Sequence, residues 1–461
     1  METVQSRKKS LIDSQILNIK SAILTLMIAV FVINVIYPGP YLRVMINYIT
    51  VAVVLISLPF TGRGTRFICM VLFVAGAYLI YVSGGGWLYW VEAMGKNTSL
   101  LALLIAVPLL GVPLRFGGYV GVLDALAAKY MARRYQMYWV PALFAHVLGV
   151  FLNLGAVPLT HEITARGKLH DNPGTLAKSI SRGFGMALFW SPNMVATALT
   201  LGYLNVPWQN YVHLGLLIAV VGLLVGYAVE LSGREGRVEE PEPASGGCRP
   251  YIDRVKLGQL AAAAVVFLLI IILIETKTDL SVISTVPVIA LAFPVIWLFL
   301  LGKKETIKKG YLDYFNNKIN RYDGEVVLFV AAGFFSSALT FSGWSEKLCH
   351  YIMHFSGHSK ASIVLTILMS IILTSLVGIH PMILVSTFAA SLDPAALGIY
   401  PAHLALILIG GWSLGATVSP LSGTTLVVAG VAGKTPVEVG YANLLFAAVV
   451  SAALITFVAW Q

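Results

Sequence analysis

The chain has 461 residues, 58% of them hydrophobic and only 11% charged, and its mean hydropathy is +0.83. A soluble domain carries roughly 25% charged residues, so a soluble globular fold is excluded. The net charge of +10 does not point to nucleic acid, because the basic residues fall in short loops between apolar stretches: Arg7-Lys8-Lys9, Arg63 and Arg66, Lys129 with Arg133-Arg134, Arg166 to Arg182, and Lys303 to Arg321. That is the positive-inside pattern of a polytopic membrane protein.

Residues 1–97 read as N-terminal scaffold spans, near 21–37, 44–60 and 67–83, ending in an outside segment, "SGGGWLYWVEAMGKN". About twenty residues precede the first apolar stretch, which lacks a small-residue cleavage site. It is expected to be a span, not a signal peptide. A basic N-terminus places that end in the cytoplasm, and the chain in a bacterial or archaeal inner membrane.

Residues 98–231 form a first repeat. A span near 98–114 is followed by "YVGVLDALAAKYMARRYQ" (119–136), whose apolar spacing and basic end predict an amphipathic helix at the interface. Residues 138–163 are as long as one span but hold Asn153, Gly155 and Pro158 at their centre, and both flanks are basic. A re-entrant hairpin satisfies both facts, and its irregular tip must be buried in protein or line a cavity. A broken span, 181–203, and a plain one, 212–231, complete the repeat.

A Pro- and Gly-rich polar segment, 232–256, reads as a cytoplasmic linker. Residues 257–324 add scaffold spans near 257–275 and 281–301 and a basic cytoplasmic loop. Residues 325–461 form the second repeat: a span near 325–341, an amphipathic segment (342–360), a hairpin (361–392) centred on Gly378-Ile379-His380-Pro381, a broken helix (403–430) and a last span (439–459). The fold class is therefore an all-α polytopic membrane protein of about eleven transmembrane helices plus two re-entrant hairpins.

A shift of 228 positions carries Gly183 to Gly411, Ser191 to Ser419, Pro192 to Pro420, Thr197 to Thr425 and Gly202 to Gly430. Pro158 pairs with Pro381 at a shift of 223. One proline inside a span is most simply a kink; five identities at one offset argue for a repeat. The charge rule orients the halves oppositely, and paired discontinuous helices in an inverted repeat are the sequence pointer to a transport site at the bilayer midplane.

A helix broken at Pro192 bares N–H groups and partial positive charge at the start of its second half, and carbonyls at the end of its first. The former suits an anion and the latter a small cation. The candidate binding residues are Asn153, Gly155, Ser191, Pro192, Asn193 and Thr197 in the first repeat, and Gly378, His380, Ser419, Ser422, Thr424 and Thr425 in the second. His380 is the one titratable group at either tip, open to a coupling-proton role or to a structural bond with a carbonyl. Asp124 and Glu162 lie near cytoplasmic boundaries and read as interface residues. His350, His354 and His358 recur every fourth residue, but Ser356-Gly357 ends that helix, so no metal site is expected. Cys69, Cys248 and Cys349 are too scattered for a disulfide framework or a metal site. With no phosphate-binding Gly-rich phrase, primary pumping is not expected.

Two hairpins, each followed by a broken helix with a Pro-containing polar tip, resemble the ion transporter superfamily, above all its divalent anion:sodium symporter branch. The resemblance covers about 98–205 and 325–432. Ser191-Pro192-Asn193 matches the Pro-Asn phrase of that family's broken helices. Asn153 keeps only the Asn of its Ser-Asn-Thr hairpin tips. Gly378-Ile379-His380-Pro381 has no Asn, and Ser419-Pro420-Leu421 has Leu where the family favours Asn. The resemblance implies an elevator-type secondary transporter, a homodimer, moving a small organic or inorganic anion with Na+ or H+ and needing no other cofactor. Na+ is placed near Asn153 and Asn193. A cation/proton antiporter or an arsenite-type exporter of the same superfamily is the alternative, disfavoured because no carboxylate falls in either tip. A membrane-embedded enzyme is disfavoured because the histidines form no catalytic cluster.

Overall fold

Prolines mark where helices begin: Pro40, Pro173, Pro381, Pro401 and Pro436 are each the first residue of a helix, where the missing N–H has no intrahelical partner to lose. The structure, a computed structural model, describes residues 2–131, 135–165, 172–232, 251–357 and 359–461, with side chains from residue 17 onward except 316 and 317. Among the described residues every regular element is helical. In chain order they are α1 (Glu2–Ile36), α2 (Pro40–Ser57), α3 (Arg63–Val82), α4 (Trp87–Gly95), α5 (Thr98–Ala106), α6 (Gly111–Phe116), α7 (Val120–Tyr130), α8 (Gln136–Leu152), α9 (Ala156–Thr164), α10 (Pro173–Ala187), α11 (Val195–Leu204) and α12 (Trp208–Ser232). They continue as α13 (Arg254–Lys277), α14 (Val282–Leu300), α15 (Lys304–Asp313), α16 (Asp323–Phe341), α17 (Trp344–Ser356), α18 (Lys360–Leu376), α19 (Pro381–Ser391), α20 (Pro401–Val418), α21 (Gly423–Ala432), α22 (Pro436–Tyr441) and α23 (Leu444–Trp460).

Among the described residues eleven helical runs are long and apolar enough to cross a membrane, so the chain is a polytopic all-α membrane protein. The number matches the expectation but the membership differs by one. Gln136–Thr164 qualifies by length and composition, whereas the expected span 181–203 does not. Its two helices, α10 and α11, are separated by the irregular stretch 188–194. The segment expected outside, 83–97, holds α4, which packs on α2 and α16. The basic stretch ending at Arg182 is not a loop. Asn172 accepts a hydrogen bond from the N–H of Thr175 at 3.2 Å and caps α10, so Lys178 and Arg182 are helical. Arg133-Arg134, Arg166, Lys168, Cys248, His358 and most of the linker lie outside the described residues, as do the side chains of Arg7-Lys8-Lys9.

The chain divides into two units. The first comprises Met1–Val112 and Pro287–Ser345. In it α16 packs on α2, α3, α4 and α5. Three pairs of polar groups join elements within the unit: Lys20 with Asp323, Asn97 Nδ2 with the Phe329 carbonyl at 2.8 Å, and Thr50 with Thr98 at 3.0 Å.

The second unit comprises Pro113–Val286 and Glu346–Gln461 and holds both candidate hairpins and both broken helices. Its principal helix pairs recur when the halves are exchanged. α8 packs on α10 as α18 does on α20; α9 packs on α21 as α19 does on α11; α10 packs on α21 as α20 does on α11; and α12 meets α23. Close approach is built in by glycines. A Cβ on Gly183 would stand 2.1 Å from the Ala142 carbonyl of α8, and one on Gly411 would stand 2.7 Å from Ile371 of α18. The two short helices expected at 119–136 and 342–360 are α7 and α17.

Candidate functional site

Each half presents a hairpin tip and a helix break. In the first hairpin α8 ends at Asn153, whose φ of 49° and ψ of −137° stop the helix; α8 and α9 then pack on each other. Asn tolerates positive φ better than most residues, and its Oδ1 accepts the N–H of Leu154 at 2.8 Å. In the second hairpin Gly378 takes the left-handed turn, with φ +93°. His380 then caps α19, its Nδ1 accepting the Met382 N–H at 3.2 Å, and its ring stands edge-on to Trp412 at 5.6 Å. The bond seen is neither of the two expected: the ring accepts from a backbone N–H where a bond to a carbonyl was the structural expectation.

The two proline positions do not match as the offset of 223 suggested. Pro158 is the third residue of α9 and exposed, whereas Pro381 is the first residue of α19 and buried. Helix starts instead align Ala156 with Pro381. The same register aligns two carbonyls: Val150 accepts from Asn193 Nδ2 at 2.7 Å, and Ser375 accepts from Ser419 Oγ at 2.5 Å.

At the breaks two bonds of the first half recur in the second. Thr197 Oγ1 reaches back across the first break to the Leu188 carbonyl, and Thr425 Oγ1 reaches back across the second to that of Ala416. Ser191 Oγ accepts the N–H of Asn193 at 3.4 Å, and Ser419 Oγ accepts that of Leu421 at 3.3 Å. Short polar side chains are required at these places because a helix interrupted in an apolar setting must find new partners for its backbone. The candidates Thr197 and Thr425 thus use their hydroxyl protons on their own breaks.

The carbonyls before the first break were expected to be open to a cation, and the three that follow α10 are engaged. Leu188 takes Thr197, Phe189 takes the Tyr211 hydroxyl at 2.6 Å, and Trp190 takes the Trp208 indole N–H at 2.7 Å. The group left over is Asn193 Oδ1. Asn193 is 1% exposed, its amide donates to Val150, and its oxygen has no hydrogen-bond partner among the described residues.

The breaks differ at their second helices. Ser422 Oγ caps α21, accepting the Thr425 N–H at 3.1 Å. Met194, at the equivalent place before α11, gives no side-chain cap. The second break also carries Leu421 where the first carries Asn193. The first hairpin tip adjoins both breaks, through Val150 at Asn193 and through Leu154, which lies 3.6 Å from where a Cβ on Gly423 would stand. Gly378 of the second tip lies under Leu421. Gly155 lies half-buried beside Leu154, Pro192 is buried within the first break, and Thr424 is buried in the first turn of α21.

A buried charge network went unseen in the sequence. Arg182, 1% exposed, donates to Asn443 Oδ1 at 2.9 Å, to the Gly226 carbonyl at 2.9 Å, to the Ala442 carbonyl at 3.1 Å and to Glu230 at 3.4 Å. Glu230 also pairs with Lys178 at 2.9 Å and accepts from Thr175 at 2.9 Å. His146 in α8 is buried as well. The Trp190 indole N–H donates to its Nε2 at 3.1 Å, and its Nδ1 lies 3.2 Å from the Gly183 carbonyl, which fixes a neutral tautomer. The sequence signal for the network was an acid inside an apolar run, Glu230 within 212–231. Among the described residues no cluster of His, Cys, Asp and Glu could hold a metal ion, and His350 and His354 stack at 6.4 Å.

Residues 181–461 match the family model "Tripartite ATP-independent periplasmic transporter, DctM component". The chain is similar to the anaerobic C4-dicarboxylate transporter DcuC of Escherichia coli K12 and of Shigella flexneri, 32% identical over 140 residues, which is 29% of this chain and 28% of either relative. It therefore spans under a third of the length of those curated relatives. In fold it is similar to the Alcanivorax borkumensis YdaH transporter, at 14% identity and TM-score 0.54, with 80% of this chain and 86% of that one covered. It is also similar to Neisseria gonorrhoeae MtrF, of a class of antimetabolite efflux pumps, at 11% identity and TM-score 0.56, with 85% and 94% covered.

Proposed function

The chain belongs to the DctM component family of the tripartite ATP-independent periplasmic transporters, and on that premise we propose that it moves a small carboxylate across the membrane in symport with Na+ or H+. Membership supports a secondary transporter; it does not single out the divalent anion:sodium symporter branch. The DcuC relatives carry C4-dicarboxylates by name, which supports a carboxylate as cargo. An elevator-type motion of the second unit and a homodimeric assembly belong to the same proposal, as do the re-entrant course of both hairpins and the opposite orientation of the halves.

The observation that carries the proposal is the unpartnered Oδ1 of Asn193, buried at the first break. An amide oxygen only accepts, so it calls for a cation or a hydrogen-bond donor. A buried acceptor left unmatched costs about 1–3 kcal/mol, which a coupling ion or a substrate's ordered water would recover. Beside it α11 begins without a side-chain cap, and the dipole of such a start favours an anion. Asn153 and Asn193 remain the candidates for Na+; Ser191, Ser419 and Thr424 remain candidates for the substrate. The test is uptake into proteoliposomes with an imposed Na+ gradient, or an imposed pH gradient, with Asn193→Ala beside wild type. Uptake driven by neither gradient, or undiminished in the variant, would remove this site from the transport cycle.

A further inference from the structure

The first break is tied to α8 at two points, one on each side of Pro192. Upstream, the Trp190 indole N–H donates to His146 Nε2 at 3.1 Å. Downstream, the Asn193 amide donates to the Val150 carbonyl at 2.7 Å. The two acceptors are four residues apart on α8, about 6 Å along one face of a helix. The carbonyl of Trp190 is held from elsewhere, by the Trp208 indole at 2.7 Å. Trp190 is therefore fixed through both its side chain and its backbone, and the irregular stretch 188–194 takes its position from these ties.

The second half shows that packing alone needs no histidine here. The register that aligns Val150 with Ser375 sets His146 against Ile371. Ile371 packs on Gly411, the counterpart of Gly183, whose carbonyl lies 3.2 Å from His146 Nδ1. The counterpart of Trp190 is Val418, whose side chain carries no donor. The same contact between α8 and α10 on one side, and α18 and α20 on the other, is thus hydrogen-bonded in the first half and apolar in the second. Burying an imidazole is costly unless its nitrogens are engaged, and here both are. The polar tie occurs at the break whose Asn193 Oδ1 is open; packing replaces it at the break that carries Leu421 in that place.

We propose that His146 is a positioning residue for the ion site at the first break, and that through Trp190 it holds the break in the register at which Asn193 Oδ1 faces its ligand. The inference rests on the proposal above that Asn193 binds Na+, and adds to it the residue that tunes the affinity. A ligand-bearing residue has to be held to roughly 0.5 Å of its working position. One tie leaves a segment free to pivot where two do not.

The test is Na+ titrated into the full chain in nanodiscs, with ionic strength held by choline chloride. Thermal unfolding reads the affinity, because a ligand of the folded state raises its stability. His146→Phe keeps a ring and removes the acceptor; Trp190→Phe keeps a ring and removes the donor. Each should weaken Na+ binding roughly five- to tenfold, the scale of one hydrogen bond. The double variant should weaken it no further, because both changes break the same bond. His146→Gln, which offers an acceptor oxygen and a donor nitrogen, should restore binding to within about twofold. A lower unfolding temperature without Na+ is common to any role in packing; a changed Na+ affinity and its rescue are not. Should His146→Phe fail to fold, Trp190→Phe, which leaves His146 bonded to Gly183, carries the test. Asn193→Ala in the same series separates this proposal from the one it rests on. Weakened binding in Asn193→Ala, with wild-type affinity in the Phe variants or with additive losses in the double variant, overturns the role of His146 and leaves the Na+ site standing. If Na+ does not stabilise wild type, or binds Asn193→Ala as tightly, the Na+ site falls and this proposal with it.

Discussion

Ser413 Oγ donates to the carbonyl of Gly185 at 2.6 Å, and the two positions are 228 apart in the chain. That separation is also the offset between the two breaks, so α10 and α20 cross where each half meets its own counterpart. A pair of equivalent positions in mutual contact lies on the axis that relates the copies. The crossing therefore fixes the two breaks relative to each other, and small residues are needed to reach it.

Glycine substitutions at the crossings should rank by what the new methyl group meets. On Gly183 it would stand 2.1 Å from a backbone carbonyl, and on Gly185 2.8 Å from the hydroxyl of Thr417, a side-chain contact rather than a backbone one. Gly183→Ala should cost about 1–3 kcal/mol or more and Gly185→Ala clearly less. Thermal unfolding in detergent orders the two.

The charge network should behave as a unit. Arg182→Met leaves Glu230 with Lys178 and Thr175 as partners, while Glu230→Gln removes the carboxylate shared by the buried Arg182 and the half-buried Lys178. Removing one partner of a buried pair costs about 3–5 kcal/mol. Glu230→Gln is expected at the upper end and Arg182→Met at the lower, measured as unfolding free energy of the purified chain. Equal and negligible losses would mean that the network is solvated.

At the first break, Asn193→Ala should weaken ligand or ion binding by about 0.5–1.5 kcal/mol, and by up to about 3 if the partner is charged. Asn193→Asp keeps an acceptor and adds charge. It should retain or tighten cation binding if Oδ1 faces a cation, and weaken binding of an anionic substrate if Oδ1 instead accepts from that substrate's ordered water. Ion-dependent stabilisation, with Ser451→Ala as a control in the last helix, separates the cases.

His380 should act through its cap. His380→Asn preserves an acceptor at the start of α19, whereas His380→Ala removes it at about 1 kcal/mol. Uptake in His380→Asn should keep the wild-type pH profile. A flattened profile would assign the coupling proton to His380 after all.

Ser422→Ala should lower stability by about 1 kcal/mol through loss of the α21 cap. No change at Met194, the equivalent position in the first half, has this effect, because Met194 gives α11 no side-chain cap. A chemical-denaturation series on Ser422→Ala and Ser191→Ala checks the asymmetry.

Much of this was legible in the sequence. Mean hydropathy and the spacing of basic loops gave the membrane class, and the repeated Ser-Pro phrase located both breaks, because proline forbids the helical hydrogen bond wherever it occurs. The start of α10 was misplaced because Lys178 and Arg182 read as loop charges; only the fold shows Glu230 beside them. The register of the hairpins was misread because Pro158 and Pro381 are the same residue type in different helical positions. The roles of Thr197 and Thr425 were legible as polarity but not as direction. A hydroxyl that turns inward to a carbonyl and one that faces a ligand look alike in one dimension.

Those two threonines also bear on where the unit can bend. Each ties the helix after its break to the last turn of the helix before it, as a rivet closes a joint between two rods. An interrupted helix is ordinarily a place to look for a hinge. Here the interruption is fastened, so any swing of a hairpin or a half-helix must be taken up at the far ends of those rods, and the two breaks travel as fixed points of the frame.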